Sequence, residues 1–138
     1  MFVLDTNVVS ELRRLHRAHP AVMAWASVTP LASFFLSSIT VLELELGVLL
    51  MERKDAAQGA VLREWIDHQV LPRFEGRILA VDTAVAQRCA RLHVPAPRAE
   101  RDALIAATAL IHGMTVATRN GADFESTGVR IFDPWAGS

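Results

Sequence analysis

Four acids in this chain stand where a charge is costly: Asp5, Glu43, Asp102 and Asp123. Asp5 ends the apolar run Met1-Phe2-Val3-Leu4, and Glu43 interrupts Ile39-Thr40-Val41-Leu42. Asp102 opens Ala103-Leu104-Ile105-Ala106-Ala107, and Asp123 follows the turn Arg119-Asn120-Gly121-Ala122. A carboxylate withdrawn from water needs an opposite charge or a cation beside it. Several oxygen ligands converging on one point are what a magnesium or manganese site for phosphoryl chemistry requires.

Elements that could bring these acids together are visible as short apolar runs alternating with helical patterns. Phe2 to Asp5, Phe34 to Ser37, Ile78 to Val81, Thr115 to Ala117 and Val129 to Ile131 are expected as strands. Helices are expected over Val8 to Leu12, Ala21 to Ala26, Ile39 to Glu52, Ala56 to Val70, Thr83 to His93 and Glu100 to His112. Pro20 suits a first helical position. Strands alternating with helices imply an α/β fold, with a parallel sheet covered on both faces. Ligands of such sheets bind beyond the carboxyl ends of the strands. Asp5 sits at such an end, and Asp123 lies just after the fourth strand.

Each acid also has a plain structural use. Asp5 or Thr6 can cap the first helix, and Asn7 can do similar local work. Asp102 falls in a first helical turn, where the helix dipole favours an anion by roughly 0.3–1 kcal/mol. Asp123 can be an ordinary turn residue. Glu43 shares its helix with Glu45, about 200° away on a wheel, so the two are not expected to serve one site. That helix is apolar nearly all round, so both faces are expected to be covered, and periodicity alone does not choose between the acids. Gly47, one turn after Glu43, would permit close approach of another backbone.

Composition narrows the classes. The 138 residues suit one domain, and 51% hydrophobic content supports a sizeable core. A net charge of −1 gives no global pull toward nucleic acid. The cations are nonetheless thirteen arginines against a single lysine, Lys54, and arginine suits bidentate phosphate contact. One cysteine, Cys89, precludes an intrachain disulfide and fits a reducing cytoplasm. No signal peptide or membrane span is expected. His16 and His19 lack partners for a zinc set. Ser10 and Thr6 lack a histidine that would make either a nucleophile, and no glycine-rich phosphate loop occurs.

The motifs around the four acids bear a family resemblance. Leu4-Asp5-Thr6-Asn7-Val8-Val9-Ser10-Glu11-Leu12 resembles the opening motif of PIN-domain nucleases, and Ser38-Ile39-Thr40-Val41-Leu42-Glu43-Leu44 with Gly47 resembles their second. Arg101-Asp102-Ala103-Leu104-Ile105-Ala106-Ala107-Thr108-Ala109 resembles the third. Thr118-Arg119-Asn120-Gly121-Ala122-Asp123-Phe124 resembles the fourth, and Pro134-Trp135 a frequent ending. The nearest resemblance is to VapC-like or FitB-like toxins of bacterial type II toxin–antitoxin pairs.

The resemblance implies a single PIN domain over residues 1–138. Its fold would be a three-layer α/β/α sandwich with a mostly parallel sheet of four to five strands. It selects Glu43 over Glu45. It implies an endoribonuclease holding Mg²⁺ or Mn²⁺ with Asp5, Glu43, Asp102 and Asp123 and leaving 5′-phosphate and 3′-hydroxyl ends. Thr6, Asn7, Thr118 and Asn120 are expected to orient the acids or metal waters. Arg13, Arg14, Arg17, Arg98, Arg101 and Arg119 are unranked candidates for RNA phosphates. Two other readings stay open: a binding module acting within a toxin–antitoxin complex on operator DNA, and a nuclease of this fold acting on DNA or structured RNA. The helix Val41 to Met51 and the stripe Val61, Leu62, Trp65 and Ile66 lack a polar outer face, so a homodimer and a cognate antitoxin are the expected partners.

Overall fold

The computed structural model describes residues 1–136. Its five strands are β1 (Phe2–Leu4), β2 (Phe34–Ser37), β3 (Ile78–Leu79), β4 (Thr115–Ala117) and β5 (Ile131–Phe132). They form one sheet in the order β3-β2-β1-β4-β5, and every pairing is parallel. Successive side chains of a strand point to opposite faces, and β1 shows it: Val3 enters one apolar cluster and Leu4 the other. Val116 and Ala117 of β4 divide the same way.

The Val3 cluster is closed by α6 (Thr83–Leu92) and α7 (Glu100–His112). The Leu4 cluster is closed by α1 (Thr6–Leu12), α3 (Ser38–Lys54) and α4 (Ala56–Trp65). Trp25 of α2 (Pro20–Val28) packs on the same cluster, edge-on to Phe2 at 5.2 Å between centroids. Helices thus cover both faces of a parallel sheet, as the alternation of runs requires. Caps start the helices where the sequence offers them: Asp5, Ser37, Asp55 and Asp82 each accept a backbone N–H of the first turn. Gly113, at φ 66°, ends α7 in the left-handed conformation that favours glycine, just before β4.

Five expectations need correction. The third strand ends at Leu79, not Val81. The fifth strand begins at Ile131, not Val129; Val129 is instead 8% exposed, packed in the Val3 cluster. The helix expected over Ala56 to Val70 is α-helical only to Trp65 and continues as a π-turn, Ile66–Val70, into the short α5 (Leu71–Arg73). Of its stripe, Ile66 is buried but Val61 is 49% exposed. On α3 only the stripe Thr40, Leu44 and Val48 is buried; Leu42, Leu46, Leu49 and Leu50 face outward. Gly47 has nothing within 4 Å of where a Cβ would stand, whereas a Cβ on Gly59 would lie 2.6 Å from Glu52 Cα. The close approach of backbones therefore occurs where α4 crosses α3.

Candidate functional site

All four acids project to the carboxyl side of the sheet, each from a different element. Asp5 immediately follows β1 and continues its pairing, with its N–H donated to Ala117 O at 2.9 Å. Its side chain is the N-cap of α1, accepting Thr6 N–H at 2.8 Å through Oδ1. The structural use and the proposed chemical use thus fall on one residue. Oδ2 accepts from Thr118 Oγ1 at 2.7 Å and from Asn7 Nδ2 at 3.2 Å. The Thr118 hydroxyl is wholly buried and accepts the Asn120 N–H at 3.0 Å. Asn7 Oδ1 takes the Arg119 N–H at 3.2 Å, so Asn7 links the ends of β1 and β4 through both sides of its amide.

Glu43 lies in the second turn of α3, facing α1. Its Oε1 accepts from Thr6 Oγ1 at 2.7 Å, and its Oε2 stands 3.8 Å from Arg101 Nη1. Asp102 is the third residue of α7, and Asp123 sits in the 3-10 turn Gly121–Phe124 that follows β4. Neither carboxylate accepts a hydrogen bond from protein among the described residues. Burial, then the charges of Asp5, Asp123 and Glu43, push the Asp102 carboxyl up to about 6. Like charges resist joint ionisation, so the three other acids add to the rise that burial begins. Their oxygens are nonetheless too widely spaced for any three to lie within 4.8 Å of one another; among the described residues only Cys89, His93 and Glu100 meet that spacing.

The four acids share the carboxyl side of the sheet, and Glu45 is turned away, 2.8 Å from Arg63. Thr6, Asn7 and Thr118 each donate a side-chain hydrogen bond to one of the four acids. Asn120 contributes its backbone N–H, while its exposed side chain makes no described contact. The arginines separate. Arg101 alone forms an ion pair with one of the four acids among the described residues. Arg119 lies over the Trp135 ring at 5.2 Å and Arg13 over the Trp65 ring at 6.0 Å. Arg98 braces the chain locally: it donates to the carbonyls of Leu92 at 2.8 Å and Glu125 at 3.2 Å. Sequence reading missed the Cys89, His93 and Glu100 group. The spacing of four between Cys89 and His93 was a usable signal, since such residues share a helix face.

The fold and the acid cluster meet in a known family: the PIN domain family matches residues 2–129, and the chain belongs to it. It is 41% identical to toxin FitB of Neisseria gonorrhoeae over 140 residues, covering 98% of this chain and 99% of that one. It is 37% identical to the VapC ribonuclease Y4jK of Sinorhizobium fredii, covering 98% of each. The crystal structure of FitAcB from Neisseria gonorrhoeae superimposes with a TM-score of 0.88 at 41% identity, over 98% of this chain and 99% of that chain. The chain is thus a homologue of the VapC and FitB toxins. No described helix is long and apolar enough to cross a membrane.

Proposed function

We propose that this chain is a divalent-metal-dependent endoribonuclease acting as the toxin of a toxin–antitoxin pair. The observation that carries the reading is the carboxyl side of the sheet, where Asp5, Glu43, Asp102 and Asp123 are presented from four chain segments, with Arg101 the only cation among the described residues paired to any of them. Asp5, Glu43, Asp102 and Asp123 would hold Mg²⁺ or Mn²⁺. The donors fit such an ion, because they are all oxygen and the carboxylates of Asp102 and Asp123 are uncommitted. Their wide spacing suits contacts made partly through water. A bound ion of this kind supplies an activated water and stabilises the leaving oxygen of a phosphodiester.

The protein's own residues supply position. Thr118 and Asn7 fix the Asp5 carboxylate, and Thr6 fixes one oxygen of Glu43, so two ligands are held before any ion arrives. Arg101, half exposed at the rim, is placed to meet a phosphate oxygen once Glu43 turns its charge to a cation. No side-chain nucleophile is needed. RNA as the substrate rests on the VapC ribonuclease relative.

An antitoxin as partner rests on FitAcB and on the surface. A cleft of about 180 Å³ between α1, α2 and the π-turn is lined by Leu12, Leu31, Trp65, Val70 and Phe74, apolar enough for a partner helix. The outward leucines of α3 would serve a homodimer. Labelled RNA incubated with the purified chain tests the central claim. Cleavage is expected in Mg²⁺ or Mn²⁺ and none in excess EDTA; cleavage undiminished by EDTA overturns it. Light scattering tests the dimer, which a monomer at all concentrations refutes.

A further inference from the structure

Away from the four acids, a different donor set gathers where α6 ends and α7 begins. Cys89 and His93 stand one turn apart at the end of α6, and Glu100 is the first residue of α7. His93 Nε2 is 3.8 Å from Cys89 Sγ and 3.0 Å from Glu100 Oε2, and all three atoms lie within 4.8 Å of one another. We propose that Cys89, His93 and Glu100 form a transition-metal site of the zinc type, separate from the carboxylate cluster. The inference does not depend on the nuclease reading.

Three features support it. The spacings approach those of donors on one tetrahedral ion with ligand bonds of about 2.0–2.3 Å. The donors are sulfur, nitrogen and oxygen, which selects a borderline ion such as Zn²⁺ over Mg²⁺. Burial differs usefully among them: Cys89 is 3% exposed, whereas the Glu100 side chain is 69% exposed. The ion would be anchored from inside and keep a fourth position open to water.

Binding has a definite proton balance. Burial, then the charge of Glu100, raises the Cys89 thiol, so the thiol proton leaves to solvent as the metal–sulfur bond forms. His93 Nδ1 accepts the Arg98 N–H at 3.3 Å, which leaves the neutral ring's proton on Nε2, facing Glu100. Coordination through Nε2 moves that proton to Nδ1, so the Arg98 contact must open. Metal occupancy is thereby coupled to the 94–99 segment, whose Arg98 guanidinium braces the turn after Asp123.

The test is a Co²⁺ titration of the full chain with its thiol kept reduced by a phosphine. A near-ultraviolet thiolate-to-cobalt band is expected to saturate at one ion. Zn²⁺ should bleach it and excess Mg²⁺ should not. Cys89→Ala should abolish the band. His93→Gln, which keeps the thiol, should weaken Co²⁺ binding by more than about tenfold, since losing even an outer partner of a ligand costs 10–100-fold. Asp5→Asn should retain the band, because its carboxylate belongs to the other cluster. Wild-type protein without a band in excess Co²⁺ overturns the proposal. So does a band that survives Cys89→Ala, or one that disappears in Asp5→Asn.

Discussion

Glu43 and Glu45 stand two residues apart on α3 and meet opposite surroundings. Glu45 finds its countercharge within the chain: Arg63 Nη1 lies 2.8 Å away and also reaches Asp67 at 3.4 Å. Glu43 lies on the side of the other three acids, and its one cationic partner among the described residues is a half-exposed arginine at 3.8 Å. On one side charge is neutralised as it is placed. On the other it accumulates, which raises Asp102 and costs stability. Under the proposed function a cation from solution would complete that side, so the contrast would separate an ion pair that holds helices together from acids kept for a ligand.

The strongest way to break the comparison is to remove charge from the accumulating side. Asp102→Asn or Asp5→Asn should lower RNA cleavage by more than about a hundredfold, beyond the 10–100-fold that loss of a ligand's outer partner costs. Circular dichroism should stay unchanged, since asparagine can cap α1 at position 5 as aspartate does and Asp102 makes no described cap. Activity near wild type in either variant would remove the acid from the site. Glu43→Gln should follow at about tenfold or more, while Glu45→Gln stays within about twofold in the same assay. Equal losses would mean that the two faces of α3 do not differ in function.

Stability sharpens the contrast further. Gly59→Ala sets a methyl against the Glu52 backbone where α4 crosses α3, and should cost about 1–3 kcal/mol in urea unfolding. Metal binding at the acids should persist in this variant.

The pH dependence of metal-free protein should carry the mark of Asp102. Its folded pKa, about 6, lies above the ordinary 3.8, so the folded state binds more protons between these values. Stability from this group is therefore full below about pH 4 and is lost as pH rises through 6. Two units at full weight are about 3 kcal/mol, and solvent screening of a partly exposed group reduces this to roughly 1 kcal/mol. Thermal melts from pH 4 to 7 should show the slope, and Asp102→Asn should flatten it. The smallest effect belongs to the neutralised side, where Glu45→Gln should change stability by no more than about 1 kcal/mol.

The same contrast explains what could be read from sequence. The order of strands and helices was legible because each strand is a short apolar run and each break carries a capping or turn residue. The place of Asp5 at the end of β1 and the start of α1 was legible from Phe2-Val3-Leu4 before it, whereas its proposed role came from the family resemblance. The choice between Glu43 and Glu45 was not legible from periodicity, since α3 is apolar nearly all round and its outward leucines resemble its inward ones. Their fates are set by Thr6, Arg63 and Arg101, all distant in sequence. Arg98 was illegible for the same reason, because its acceptors depend on the turn at Glu125 coming alongside the end of α6. Gly59, not Gly47, marks the close crossing, and only the packing of α4 on α3 reveals it.

The place of β1 in the middle of the sheet has a consequence for a chain made from its first residue onward. The strand synthesised first has its neighbours in residues 34–37 and 115–117, and Asp5 receives the Thr118 hydroxyl across 113 positions. Such long-range closure is slow compared with helix formation. A nascent chain that has reached α6 carries two of the four acids and lacks the third and fourth. For a nuclease of the proposed kind, a nascent chain that has not yet passed Asp123 holds no assembled site with which to cut the message that encodes it.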